Sequence, residues 1–154
     1  QSPSSAASDV YKRQAKYLDY ADLALTRKKK NLSTLTQGLL DSDPVMRYWS
    51  VIGLLLLEKK AKSAIPELKN VLGDRDEIPA FAAWAIYNAG EKAFAEKWML
   101  EAITHNPGNK TLANIFDWMG KESFSILAQI PEDKLSKRGL LKDVVNRYKT
   151  RVLH

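Results

Sequence analysis

DSDPVMRYWSVIGLLLL, from Asp41 to Leu57, and GDRDEIPAFAAWAIYNAG, from Gly73 to Gly90, decide the fold expected of this chain. The two stretches share one design at a spacing of 33 residues: Asp76 stands where Asp43 does, Ile78 where Val45 does, and Phe81 where Tyr48 does. Internal repeats of about 33 to 47 residues, each built from two helices, belong to α-solenoids, whose single units cannot bury their own apolar face and must stack on neighbours. The expected fold class is therefore all-α, an α-α superhelix of about three to four helix pairs.

Asp43 is placed to cap the free amides of a helix, and Pro44 to take its first position, where a missing N–H costs nothing. Arg47, four residues after Asp43, has the spacing of a local ion pair, worth about 0.3–0.5 kcal/mol when exposed. Val45, Trp49, Ile52 and Leu56 make a wide apolar face, and Gly53 lies on it where two helices can approach closely. Ser63 is expected to open the partner helix, with Pro66 in its first turn, Ile65, Leu68, Val71 and Leu72 inward, and Gly73 as its closing residue.

The second unit assigns Asp76 the capping role, continues the stripe through Trp84 and Ile86, and closes at Gly90. Ala80 stands at the Arg47 position, so the ion pair is lost while the packing pattern stays. Phe94, Trp98, Met99, Ala102 and Ile103 line the partner helix. A degenerate third unit follows the NPGNK turn at Asn106, with Leu112, Ile115, Phe116 and Met119 inward, Gly120 as stop, and 123–130 as its second half.

Upstream of these units, Leu18, Ala21, Ala24 and Leu25 form the stripe of a helix from Ala15 to Thr26 that ends in the basic cluster Arg27 to Lys30. A second helix spans about 32–40, with Asn31 or Ser33 as cap and Leu32, Leu35 and Leu39 inside. Downstream, Pro131 breaks the chain, and a helix from about Leu135 to Val152 puts Leu140, Leu141, Val144, Val145 and Tyr148 on one side and cations on the other. It fits a terminal cap, whose polar outer face a solenoid needs for solubility. The organisation is thus 1–14 as a tail, 15–131 as repeats and 132–154 as a capping helix.

QSPSSAASDVYKRQ, at 1–14, resembles the translated sequencing-adapter tails found at the ends of metagenomic gene fragments, and its composition equally suits a flexible linker. On either account it is expected to be disordered. If it is a translation artefact, the gene continued upstream and this chain is the C-terminal piece of a longer protein.

The net charge is +6 and the isoelectric point about 9.4, but the charge is unevenly placed. Residues 132–154 hold seven Lys/Arg against three Asp/Glu, whereas 15–131 hold fifteen against fourteen. The repeat body is nearly neutral, so a nucleic-acid partner is disfavoured, and the basic face of Lys134, Lys137, Arg138, Lys142, Arg147, Lys149 and Arg151 fits a solvated helix surface.

The absence of cysteine removes disulfides, thiolate metal sites and cysteine nucleophiles, and leaves the compartment open. The longest apolar run, Val51 to Leu57 with Gly53 inside it, is far short of the ~20 residues that span a bilayer, so no membrane insertion is expected. His105 ends a helix and His154 ends the chain, and neither has a carboxylate or second histidine at helical spacing. Asp41 with Asp43, and Asp74 with Asp76, precede helices, where caps rather than acid–base pairs are expected. NPGNK lacks the pattern of a phosphate loop. Trp49, Trp84 and Trp98 fall on apolar stripes and suit a core; Trp118, beside Asp117, is the tryptophan expected to be partly exposed. No catalytic residue, cofactor or metal ligand is assigned.

D-x-D-P-V-x-R-Y-W-x-x-x-G-L from Asp41, A-I-P-x-L-K-x-x-L from Ala64, and the second D-x-x-x-x-x-x-A-A-x-A from Asp76 are together similar to HEAT and HEAT-like repeats. Arg47 to Trp49, followed by Gly53 and Leu54, more narrowly resembles the HEAT-like region that follows the catalytic domain of a group of bacterial sulfatases, over roughly Ala15 to Met119. The resemblance implies a non-catalytic scaffold, the C-terminal accessory part of a sulfuric ester hydrolase, with the upstream catalytic domain as its partner. It also implies an exported parent. Sulfatase catalysis uses a formylglycine made from Cys or Ser in C/S-x-P-x-R, with carboxylates on calcium; no cysteine is present, and SPSS at Ser2 lacks both the spacing and the arginine. The active site of such a parent would lie upstream of residue 1. A free-standing scaffold that holds a protein partner is the alternative; a nucleic-acid binder using the basic last helix is a third.

Overall fold

Apolar residues recur along this chain at helical spacing, and the computed structural model, which describes residues 2–152, is built of helices and turns with no strand among them. The helices are α1 (Pro3–Leu25), α2 (Leu32–Gly38), α3 (Pro44–Leu57), α4 (Ile65–Asn70), α5 (Ile78–Ala89), α6 (Lys92–His105), α7 (Lys110–Met119), α8 (Phe124–Leu127) and α9 (Leu140–Val152). Odd-numbered helices pack in sequence, α1 on α3, α3 on α5, α5 on α7 and α7 on α9. The even-numbered helices lie beside this row or on one another, α2 on α3, α4 and α6 on α5, and α8 on α6; of these only α6 is as long as α3. One continuous core runs from Ala24 to Val145.

α3 shows why the row holds. Its residues are apolar nearly all round, and such a helix is stable only between neighbours. The face expected to be innermost, Val45, Trp49, Ile52 and Leu56, is only half-buried, while Met46, Ser50, Val51, Gly53, Leu54, Leu55 and Leu57 are buried against α1, α2 and α5. In α5 the buried alanines at 80, 82, 83, 85 and 89 let the helix sit close to its neighbours, and Ala80, at 2% exposure, leaves no room for a second arginine.

Several boundaries differ from the sequence expectation, each for a local reason. α1 begins at Pro3, not at Ala15, because Ser2 accepts from the Ser5 amide and Pro3 takes the first turn. Residues 3–16, including most of the stretch expected to be disordered, are helical yet exposed, so capping and propensity hold them rather than packing. Within α1 the inward face is Tyr17, Tyr20, Ala21 and Ala24, whereas Leu18 and Leu25 face outward. The tyrosines turn inward because their hydroxyls find acceptors near α3.

Asn31 makes no capping bond to α2; its amide donates to the Leu23 carbonyl and the Thr26 hydroxyl, closing the end of α1. α4 starts at Ile65 rather than Ser63, since 58–64 wind as a 3₁₀ turn, and Gly73 ends a second 3₁₀ turn without a left-handed conformation. α9 starts at Leu140, later than expected, because Gly139 has φ of 150° and breaks any helix entering from 135. Phe94 lies outside the core at 40% exposure, with the Lys69 ammonium 4.2 Å above its ring, while Ala95, Met99 and Ile103 are the buried residues of α6.

α3 and α7 end in the same unusual way. Glu58 has φ 52° and ψ −128°, and Gly120 has φ 60° and ψ −126°, each leading into a 3₁₀ turn. This is the conformation of the first central residue of a type II′ turn, where glycine is favoured because it has no Cβ. Relief of strain there is worth about 1–3 kcal/mol against the extra chain entropy of glycine. Glu58→Gly is therefore expected to stabilise the fold by about 1 kcal/mol in urea denaturation; a lower midpoint would mean that Glu58 is unstrained.

Candidate functional site

Polar groups gather where the loop before α3 meets the loop before α5. Asp43 caps α3, accepting from the Val45 amide at 2.9 Å, with Pro44 in the first turn. Its second oxygen accepts from the Tyr17 hydroxyl. Arg47 therefore does not pair with Asp43. It reaches across to Asp74 instead, Nε to Oδ2 at 2.6 Å and Nη2 to Oδ1 at 3.0 Å, and its Nη1 donates to the carbonyls of Asp41 and Ser42 at 2.9 and 3.0 Å. The planar guanidinium matches a carboxylate two bonds at a time, which the occupied Asp43 cannot offer.

The Arg47 guanidinium holds the Asp74 carboxyl below the usual carboxylate range, and the Tyr17 hydroxyl does the same for Asp43. Each carboxylate here is engaged by donors, so the cluster is a clasp between the loops that precede α3 and α5. Behind it the Tyr20 hydroxyl and Ser50 Oγ lie 2.8 Å apart, and burial raises the Tyr20 pKa.

Asp76, the 33-residue counterpart of Asp43, caps nothing. It adopts φ 55°, points to solvent and lies 3.4 Å from Arg75, while α5 begins at Ile78 with no side-chain cap. Pro79, in the first turn of α5, lacks one of the amides a cap would serve. Gly53 marks the crossing of α3 with α1 and α2: a Cβ there would lie 2.6 and 2.8 Å from the Leu35 methyls and 3.2 Å from Ala24 Cα. Gly90 closes α5 with φ 124°, its N–H directed at the carbonyls of Ile86 and Tyr87.

A second feature lies across α3, α5 and α7. Trp49 and Tyr48 meet edge to face at 5.3 Å, Tyr48 meets Phe81 at 5.9 Å, and Phe81 stacks on Trp118 at 6.4 Å and 19°. Trp84 stacks on the same Trp118 at 6.3 Å and 26°. Five rings from three helices thus form a line, and such pairs add about 0.5–1.5 kcal/mol each beyond area burial. Trp118 is 59% exposed, while Trp49, Trp84 and Trp98 are half-buried rather than fully in the core. Near Tyr48 the line runs into a groove of about 250 Å³ walled by Pro44, Val45, Arg75, Glu77 and Ile78.

The cations of the last helix are largely neutralised locally: Arg147 pairs with Asp117 at 3.0 Å, and Lys142 and Lys149 lie 3.7 and 2.6 Å from Glu132. Among the described residues no group of three or more His, Cys, Asp or Glu side chains could hold a metal. His105 is exposed at the end of α6, and His154 lies outside the described residues. No helix among the described residues is long and apolar enough to cross a membrane. Tyr17, Tyr20 and Ser50 belong to this cluster although sequence patterns do not single them out; Asp74 is marked in the sequence only as a residue before a helix that repeats Asp41 at 33 residues. Comparison with protein-family models, with curated proteins and with solved structures gives no match.

Proposed function

We propose that this chain is a non-catalytic HEAT-like scaffold that holds a protein partner on the aromatic line of α3, α5 and α7. The observation that carries this reading is Trp118, an indole 59% open to solvent yet braced by two stacked rings. Such a ring offers contact area with little entropy left to lose, which is the character of an interface anchor. The RYW and GL residues, Arg47 to Trp49 with Gly53 and Leu54, support the narrower proposal that the partner is the upstream catalytic domain of a sulfatase and that this region is its C-terminal accessory. A free-standing scaffold would use the same face on a separate protein. The nucleic-acid reading is weakened by the ion pairs of Lys142, Arg147 and Lys149.

Upstream sequence from the parent gene separates the first two. An in-frame C/S-x-P-x-R motif supports the sulfatase, and a start codon near residue 15 overturns it. With the upstream domain in hand, Trp118→Ala is expected to weaken its association by about tenfold or more while costing this region's own stability about 1–3 kcal/mol, the two stacked pairs that it loses. Unchanged affinity in a titration would remove the aromatic line as the contact.

A further inference from the structure

The cations near the C-terminus differ in their partners and surroundings. Lys142, Arg147 and Lys149 have acidic partners, as described above. Lys134 and Arg138, together with Lys110 at the start of α7, have no ion-pair partner among the described residues. All three instead line one cavity of about 310 Å³, between the 107–110 turn and the 134–141 segment. Lys137 and Arg151 also have no ion pair among the described residues, but they stand apart from this cavity. Asn109 and Ser136 line it as well, the one accepting from the Leu112 amide and the other donating to the Arg138 carbonyl; Pro107, Ala113, Leu140 and Leu141 form its apolar side, and no carboxylate lines it. Acidic residues are close in sequence, yet Glu132 is engaged by Lys142 and Lys149, and neither Asp133 nor Asp143 forms an ion pair with this group.

Three uncompensated positive charges around one concavity repel one another, and a cleft lined by a single sign of charge concentrates counter-ions of the other sign. A planar guanidinium presents a fork to two oxygens, and two ammonium groups add point charges from other directions. That set satisfies a ligand with three or more oxygens and two negative charges better than it satisfies a carboxylate. We infer that this cavity is a binding site for a tetrahedral dianionic oxoanion of the phosphate type, as the free ion or as a small monoester. The site is separate from the aromatic line and does not depend on the function proposed for it.

The test is an amide-resolved NMR titration of the chain with inorganic phosphate, and in a second arm with O-phosphoserine, at ionic strength held constant with sodium chloride. Saturable shifts confined to Lys110 and the 136–141 amides are expected. Tighter binding of phosphoserine identifies a monoester site, and tighter binding of phosphate a free-anion site. The double substitution Lys134→Ala with Arg138→Ala is expected to weaken binding about tenfold or more, because each charge-assisted hydrogen bond is among the stronger polar contacts. Lys149→Ala, on a cation already paired with Glu132, should leave the affinity within about twofold. Shifts that spread over the surface without saturating, or equal affinity in the double variant, would overturn the assignment. Both sets of side chains are exposed, so the variants are expected to fold, and a thermal melt checks this.

Discussion

Arg47→Ala is expected to destabilise the fold by about 3 kcal/mol, the cost of breaking a mostly buried pair from one side. The Arg47 and Asp74 side chains are only 17% and 12% exposed, so neither is freely solvated. Removing the guanidinium strips a bidentate partner from Asp74 and a donor from the carbonyls of Asp41 and Ser42, which leaves three acceptors wanting between the loops that precede α3 and α5. For a chain of this length the loss corresponds to roughly 6–12 °C in melting temperature. An unchanged melting temperature would mean that the clasp adds nothing.

The same clasp sets a pH dependence. Asp74 and Asp43 both titrate below the ordinary carboxylate range when folded, through donation from Arg47 and Tyr17 respectively. A depressed folded pKa means that the unfolded chain binds more protons in acid. The stabilisation is therefore fully present above the unfolded value of about 3.9 and drains away as pH falls through the lower folded values. Melting temperature measured from pH 7 down to pH 3 should fall in acid for the native sequence, and Asp74→Asn should start lower and fall less steeply. Parallel curves would assign the acid sensitivity to other groups.

The clasp also shows what sequence patterns can and cannot reveal. Helix type and order follow from periodicity and punctuation, so α3, α5 and α7 are legible from their apolar residues and from Asp43, Pro44, Gly90 and Gly120. Which face turns inward is not legible when a helix is apolar on every side, as α3 is, or when two stripes compete, as on α1. Tyr17 and Tyr20 turn inward and Leu18 and Leu25 outward, since the half-buried tyrosine hydroxyls find partners in Asp43 and Ser50 while neither leucine packs against the core. The partner of Arg47 is hidden from the sequence for a related reason. Sequence spacing offers Asp43 at four residues, but Asp43 is already engaged by Tyr17 and Val45, and only the packed row brings Asp74, 27 residues away, within reach. The repeat's capping pattern likewise fails at Asp76 because Pro79 changes the helix start. Three of the five rings of the aromatic line, Trp49, Trp84 and Trp118, are visible as tryptophans; the stacking of Trp84 on Trp118 is a property of the packing of α5 on α7.

Gly38→Ala is expected to be as damaging as the loss of the clasp, about 2–4 kcal/mol. A methyl group at residue 38 would lie 2.1 Å from both Ser50 Oγ and the Tyr20 hydroxyl oxygen, inside the hydrogen bond that joins them. Ser50 is wholly buried and Oγ also donates to the Met46 carbonyl, so it has little freedom to move aside. Tyr20 must swing out, which costs overpacking strain and a lost hydrogen bond, about 1–3 kcal/mol each, against about 1 kcal/mol gained from the better helix propensity of alanine. Gly53→Ala should cost less, because the nearest atoms are the movable Leu35 methyls, although Ala24 Cα at 3.2 Å limits the relief. Gly73→Ala meets nothing within 4 Å at an ordinary φ, and should be neutral or stabilising by about 0.4–1 kcal/mol. Urea midpoints should therefore rank Gly73→Ala above Gly53→Ala above Gly38→Ala. Adding Tyr20→Phe to Gly38→Ala removes the oxygen whose space the methyl claims, and should recover part of the loss; no recovery would show that the collision is with Ser50 and that α2, rather than α1, yields at this crossing.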